Sequence, residues 1–310
     1  MKKVISLKKG STIGIYSPSE PIVESRIERF YKGIDQLKNN FFNIKLSPNC
    51  LVRSNYMAGD IKQRVSDIHT LLLDNEVDAL LSAWGGKSCN QMIMHLNYDL
   101  IAAMQKPVIG FSDPCVLLNN ITARTGLVTF YGPNVLGKLH ETEHSKLEIL
   151  TTNDHSKNLL GRVEDVENKV IISGDCEGKL IGGNLSTFVL GVACSNIPLS
   201  YYDDAILFWE DMGITAQIIN QYLTALDNIG ILDRLSGMII GAFIHEEKIE
   251  WKQIDYFESL GIILDKFKFP ILYAPTFGHA NIENPILPIG SYCKLNTGNK
   301  TLNLTKNILI

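Results

Sequence analysis

The chain has 310 residues, 45% of them hydrophobic and 20% charged, with a formal net charge of -4. That length and apolar content allow a large core and two domains, while scattered lysines on a slightly acidic chain exclude nucleic acid or an anionic membrane as the main partner. No stretch approaches the roughly 20 apolar residues of a membrane span, and charge returns at Lys8-Lys9 before a signal-peptide core develops after Met1-Lys2-Lys3, so a cytoplasmic location is expected.

Val4-Ile5 and Ile13 to Tyr16 read as an opening strand region ending in the turn Ser17-Pro18-Ser19, and residues 23–38 carry the spacing of an amphipathic helix. Residues 60–74 form the next helix, with Ile61, Val65, Ile68, Leu71 and Leu72 on one face. Ala79-Leu80-Leu81-Ser82-Ala83 is a buried strand that ends at Trp84-Gly85-Gly86. Helical stretches at Asn90 to Met94 and Tyr98 to Met104 lead to a strand over Pro107 to Gly110, a helix over 115–125 and a strand over Leu127 to Tyr131. Strands alternating with helices predict an α/β fold, a largely parallel sheet covered on both faces.

From about His140 to Lys179 the periodicity is lost, and Asn153-Asp154-His155-Ser156 reads as a turn. The division expected is a first domain over 1–140, a connector over 141–178 and a second domain over 179–310. In the last, Gly182-Gly183-Asn184-Leu185-Ser186 opens a helix to Ala193, followed by a strand Ala205 to Trp209 and a helix Ala216 to Ile229. A strand Gly237 to Phe243, a helix near 251–264 and the apolar Pro270-Ile271-Leu272-Tyr273 follow. The tail from Pro288 to Leu304 alternates like a β-hairpin around Asn296-Thr297-Gly298-Asn299.

The segment Lys106-Pro107-Val108-Ile109-Gly110-Phe111-Ser112-Asp113-Pro114 delivers one serine into a strand-to-helix turn. Such a turn exposes the Ser112 hydroxyl at the carboxyl end of a sheet and leaves the Asp113 N–H at a helix start, where developing negative charge is stabilised. A hydrolase elbow has a second glycine where Pro114 stands, a residue suited to a first helical position. The alternative is that Ser112 or Asp113 only caps the following helix.

A serine nucleophile needs a base and a third group to orient that base. Of seven histidines, His279 follows an apolar strand directly, at the edge where α/β sheets place ligands. His69 and His95 fall inside helical patterns, and His140, His144 and His155 in the connector. Glu210 ends the run Ala205-Ile206-Leu207-Phe208-Trp209, where an acid is costly to bury unless paired. A histidine would pair it; otherwise the chain has merely reached solvent. Ser112, Glu210 and His279 thus end three predicted strands in the order nucleophile, acid, base.

Gly85-Gly86-Lys87-Ser88 has the look of a phosphate-binding loop, but Leu81 stands where its first glycine belongs, so no nucleotide cofactor is expected. Paired glycines instead let a backbone N–H approach a ligand, giving a second oxyanion donor at Gly86, or else form a plain tight turn. Lys87, Gly85 and the N–H groups around Asn184 are candidates for contacting the substrate. His245-Glu246-Glu247 begins a zinc-protease pattern, but Ile249 replaces the second ligand. The six cysteines, Cys50, Cys89, Cys115, Cys176, Cys194 and Cys293, stand singly and read as reduced, so neither metal nor disulfide is expected.

Taken together and in order, Trp84-Gly85-Gly86-Lys87-Ser88-Cys89-Asn90, Gly110-Phe111-Ser112-Asp113, Gly126 to Pro133, Gly182-Gly183-Asn184-Leu185, Trp209-Glu210-Asp211 and Gly278-His279-Ala280 resemble the LD-carboxypeptidase family of serine peptidases. The Gly-Gly-x-Ser-x-Asn pattern and Leu127 to Pro133 look closer to its microcin C self-immunity branch. The resemblance implies a Ser112-Glu210-His279 triad, a flavodoxin-like first domain carrying the serine, a swivelling β/α second domain carrying the other two, and a homodimer. Self-immunity proteins acting on aminoacyl nucleotides resemble one another in a tryptophan-bearing interdomain loop, whereas the tryptophans here are Trp84, Trp209 and Trp251, none in the connector. Two substrates therefore stay open: a murein tetrapeptide and an aminoacyl-nucleotide-like conjugate. The rival readings are a small-molecule binding protein without turnover and an esterase or amidase of broad range.

Overall fold

The structure, a computed structural model, describes residues 1–137, 148–244, 256–280 and 284–310. Its first sheet contains β1 (Thr12–Tyr16), β2 (Asn43–Leu46), β3 (Ala79–Ser82), β4 (Val108–Gly110) and β5 (Thr129–Tyr131), all parallel. Their spatial order is 2-1-3-4-5, the flavodoxin-like arrangement, which leaves a ligand crevice at the carboxyl ends beside the β1/β3 reversal.

Helices α1 (Glu24–Asn39), α2 (Ile61–Leu73), α3 (Tyr98–Met104) and α4 (Cys115–Thr125) connect these strands. The N-terminus of α2 is fixed by a capping box: the Gln63 N–H donates to the Asp60 carboxylate (2.8 Å) and the Asp60 N–H to Gln63 Oε1 (2.9 Å). The helix foreseen at Asn90 to Met94 is only a short 3-10 turn, Cys89–Gln91, and Val4-Ile5 is no strand, Val4 making a single bridge to Leu309.

The second sheet holds seven strands: β6 (Lys169–Ile172), β7 (Asp175–Asn184), β8 (Ala205–Met212), β9 (Leu235–Ile244), β10 (Ile271–Tyr273), β12 (Tyr292–Asn296) and β13 (Thr301–Leu304). β7 to β10 run parallel, and the hairpin β12–β13 and strand β6 close the two edges antiparallel. The turn at Asn153 to Ser156 is docked on the chain end: Asn153 Oδ1 accepts from the N–H groups of Ile308 (2.9 Å) and Leu309 (3.0 Å), and the His155 ring meets Asn307 Oδ1 at 2.6 Å. Strand β11 (Leu287–Ile289) leaves the second half of the chain to pair antiparallel with β5. His140, His144, Trp251 and His245-Glu246-Glu247 lie outside the described residues.

The two sheets meet through α4, whose residues are buried on nearly every side, as expected of a helix enclosed in a core. Its Asn119 amide donates to Gly182 O (2.8 Å) in β7 and accepts the Gly182 N–H (3.3 Å). Helix α5 (Leu185–Cys194) packs on the same helix so closely that a Cβ at Gly191 would stand 2.8 Å from Val116. The helix that follows Ser112 is therefore keyed directly to the strand next to the one bearing Glu210. No helix among the described residues is long and apolar enough to cross a membrane.

Candidate active site

β4 ends at Gly110 and α4 begins at Cys115, so Ser112 sits in the turn between them. Its φ is +68°, a left-handed conformation that a side chain adopts only at a cost and that surrounding structure must enforce. Two features enforce it. A Cβ at Gly110 would lie 2.6 Å from Pro114 Cβ, so only glycine lets the turn close this tightly. Asn134 clamps Phe111, accepting its N–H (3.0 Å) and donating to its carbonyl (3.1 Å).

Neither Ser112 nor Asp113 caps α4 with its side chain; Pro114 holds the cap position, and the Cys115 N–H donates to Ser112 O (2.8 Å). The Ser112 hydroxyl instead stands 2.9 Å from His279 Nε2, and His279 Nδ1 stands 2.7 Å from Glu210 Oε2. Those distances fit a hydroxyl donating to Nε2 and Nδ1–H donating to a carboxylate.

Glu210 lies within β8, which runs past the expected end at Trp209 to Met212, and has no exposed surface, so the loop-acid alternative does not hold. Register against β9 shifts between Trp209 and Asp211, a bulge of the kind that re-aims one side chain. Four donors satisfy its carboxylate. Oε2 accepts from His279 Nδ1 and the His279 N–H (3.0 Å), and Oε1 from the Tyr131 hydroxyl (2.7 Å) and Asn184 Nδ2 (3.4 Å). A buried carboxylate is tolerable when its lone pairs are filled in this way.

Burial pulls the His279 imidazole toward the neutral form, but the charge and hydrogen bond of Glu210, with the field of Asp211, outweigh it and hold its pKa above the ordinary value. Burial, reinforced by the Glu210 charge, also raises the Asp211 carboxyl, even though it accepts the Ser186 N–H.

A cavity of about 670 Å³ opens over this chain of groups; Gly85, Gly86, Lys87, Ser112, Asp113 and His279 are among its lining residues. Among the described residues, the backbone N–H groups of Gly86 and Asp113 have no hydrogen-bond acceptor. Gly86 has φ +144°, and a Cβ there would stand 2.4 Å from Ser19 Oγ and 2.8 Å from the Glu20 backbone nitrogen, so the position admits only glycine. Lys87 is exposed on the rim. Asn184 lines the cavity but is occupied: Oδ1 accepts the Thr187 N–H (3.2 Å) as the cap of α5, and Nδ2 donates to Asp211 (2.9 Å).

Tyr131 belongs to the site although no separate signal singled it out. Its hydroxyl donates to Glu210 and accepts the Ser112 N–H (3.3 Å), tying the serine backbone to the acid. The Phe111 ring lies 4.9 Å from that of Tyr131 and 4.8 Å from the His279 imidazole. All six cysteines are free thiols. Cys115, three residues after the serine with its thiol donating to Asn184 O, is pushed far up by burial and then by Asp113, so its thiol stays protonated and is no rival nucleophile.

The profile of the LD-carboxypeptidase N-terminal domain matches residues 13–132, and that of the LD-carboxypeptidase C-terminal domain matches residues 177–295. The chain is 29% identical to the microcin C7 self-immunity protein of Escherichia coli over 98% of its own length and 95% of the relative's. It is 27% identical to a probable murein peptide carboxypeptidase of Bacillus subtilis, covering 96% and 92% of the two chains. A solved structure of a microcin self-immunity protein in complex with glutamyl sulfamoyl guanosine superposes with a TM-score of 0.87 over the whole of both chains, at 26% identity. With both of its domains matched in order, the chain belongs to the LD-carboxypeptidase family of peptidases, close to the microcin self-immunity branch.

Proposed function

We propose that the chain is a serine carboxypeptidase in which Ser112 is the nucleophile, His279 the general base and acid, and Glu210 the group that orients and stabilises the imidazolium. The observation that carries this reading is the unbroken line from the Ser112 hydroxyl through both ring nitrogens of His279 to a buried, fully hydrogen-bonded carboxylate. His279 Nε2 takes the hydroxyl proton as Ser112 Oγ adds to the scissile carbonyl, and the carbonyl oxygen becomes an oxyanion. The unengaged N–H groups of Asp113 and Gly86 receive that charge. The imidazolium then passes its proton to the leaving nitrogen, the C–N bond breaks, and water, activated by the same imidazole, hydrolyses the acyl-enzyme.

The substrate class is a small peptide or peptide conjugate, which the cavity size accommodates. Two conjugates fit the family: the L,D amide near the carboxyl end of a murein tetrapeptide, and an aminoacyl nucleotide analogue of the kind bound by the self-immunity relative. Arg26, Arg29 and Lys87 on the cavity wall offer positive charge to a carboxylate or phosphate-like group. Asn184, held in place by its own hydrogen bonds, and Gly85 complete the proposed substrate contacts. A cytoplasmic homodimer divided at 1–140, 141–178 and 179–310 is part of the same reading, and light scattering tests the dimer. The deciding experiment assays wild type and Ser112→Ala on murein tetrapeptide and on an aminoacyl sulfamoyl nucleotide by mass spectrometry. Turnover of one substrate that falls at least about a thousandfold in the variant is the expected result; near-normal turnover by the variant rejects the mechanism.

A further inference from the structure

The carboxylate next to the nucleophile has a connection that the triad does not use. Asp113 is 4% exposed, and its Oδ2 accepts three hydrogen bonds: from Ser19 Oγ (2.5 Å), the Ser88 N–H (2.8 Å) and the Cys89 N–H (2.9 Å). All three donors belong to the loops that follow β1 and β3. The Gly86 N–H lies two residues before Ser88, and the Ser19 hydroxyl that donates to Asp113 is the atom against which Gly86 is packed.

Behind this cluster Arg64, 1% exposed, ties the same two loops together. Its Nη1 donates to Pro18 O (2.8 Å), Ser88 O (3.1 Å) and Ser88 Oγ (3.1 Å), and its Nη2 to Gln91 Oε1 (2.7 Å). No direct ion pair joins Arg64 to Asp113 among the described residues; Ser88 stands between them. A carboxylate and a guanidinium buried in one network cost more desolvation than an apolar filling of equal volume, so stability alone is a poor reason for having them. Fixed geometry is a better one, because a fully satisfied polar network specifies a single arrangement.

We propose that the Asp113 carboxylate, backed by Arg64, is a positioning residue that sets the Gly86 N–H beside the Asp113 N–H so that the two act on one oxyanion. Asp113 then contributes twice: its backbone supplies one donor, and its side chain fixes the loop that supplies the other. The inference rests on the serine-hydrolase reading and gives the glycine loop its role in that reaction.

The test compares Asp113→Ala, Asp113→Asn and Ser19→Ala with wild type in kcat, KM, thermal midpoint and affinity for a peptidyl boronic acid. With that probe Ser112 Oγ adds to boron, and a boron-bound oxygen takes the place of the oxyanion. Asp113→Ala is expected to lower kcat about a hundredfold with KM nearly unchanged, and to weaken boronate binding by a similar factor. Asp113→Asn, which keeps one acceptor oxygen for the loop, is expected to recover at least about tenfold of that loss, and Ser19→Ala to show a smaller loss of the same pattern.

A kcat for Asp113→Ala within about threefold of wild type overturns the proposal. A fall in kcat without a matching loss of boronate affinity also overturns it, since general damage would not single out the tetrahedral state. Should Asp113→Ala fail to fold, the same comparison in Ser19→Ala decides: matched losses in kcat and boronate affinity support the proposal, and an unchanged boronate affinity overturns it. Full activity in Ser112→Ala would instead remove the underlying mechanism, a failure distinguishable from any of these.

Discussion

Ser112 and Glu210 stand at the carboxyl ends of neighbouring sheets, yet the first is held by backbone and the second by burial. On the first sheet, the flavodoxin-like order brings three strand ends together, and the chemistry there is mostly main chain: a left-handed serine, a glycine at φ +144° and two unengaged N–H groups. On the second, strand β8 carries an acid with no exposed surface whose oxygens are filled by four donors. In the proposed mechanism one side fixes where charge will develop, and the other keeps a charge ready for the imidazole. The difference implies that substitutions on the two sides change different observables: transition-state affinity on the first, pH dependence on the second.

Glu210→Gln tests the second side and has the largest expected effect. With the carboxylate charge removed, burial lowers the His279 pKa unopposed by its main partner, so the ascending limb of the pH profile of kcat/KM should move to lower pH. In wild type that limb should lie above the ordinary histidine value of about 6.5, because the imidazole must lose its proton to act as a base. The plateau should fall by about a thousandfold or more, as when the orienting acid of a triad is neutralised. The stability contributed by the pair follows the same sign: a raised folded pKa is worth most below the unfolded value and is lost as pH rises through the folded one. A limb that stays in place in Glu210→Gln would show that His279 does not titrate against Glu210.

Gly86→Ala tests the first side. A Cβ 2.4 Å from Ser19 Oγ and 2.8 Å from a backbone nitrogen cannot be accommodated in place, so the loop must shift and carry its N–H away from Asp113. The expected loss in kcat is about a hundredfold, the scale of one missing oxyanion donor. The pH limb should not move, since the imidazole and its partners are untouched. A moved limb would mean that the two sides are not separable.

The same contrast explains what the sequence made legible. Ser112, Glu210 and His279 were recognisable because each is a polar residue at or soon after a short apolar run; Ser112 lies two residues past β4, whereas β8 runs on through Glu210 to Met212 and His279 lies six residues past the end of β10 at Tyr273. Helix α4 matched its expected span, 115–125, because Pro114 begins it and Gly126 at φ +76° ends it. Strand β2 is not among the expected elements: Asn43-Ile44-Lys45-Leu46 alternates polar and apolar residues, but four exposed or half-buried residues at a sheet edge are a short signal beside the helix that precedes them. Strand β11 was missed as a member of the first sheet because its pairing with β5 joins residues far apart in the chain and leaves no local pattern. The Asp113 cluster was invisible for a related reason, since Ser19 and Ser88 are ordinary polar residues until the β1 and β3 loops bring them to one carboxylate, with Arg64 of α2 bonded to Ser88 behind them.

Tyr131 is the residue that joins the two sides, and Tyr131→Phe should separate them with the smallest effect. The phenol makes one hydrogen bond to the buried carboxylate and receives one from the Ser112 N–H, and the phenylalanine ring fills the same space while removing both. Loss of one charge-assisted bond leaves Glu210 with its two bonds to His279 and the longer one from Asn184, so the charge survives and turnover should fall only about tenfold. Released from one partner, the carboxylate should hold the imidazolium more firmly, and the pH limb should rise rather than fall. That direction is opposite to the one expected for Glu210→Gln. Parallel pH profiles of the two variants therefore measure whether Tyr131 competes with His279 for the same negative charge; an unmoved limb in Tyr131→Phe would leave the tyrosine as packing alone, and a limb that falls would overturn the competition.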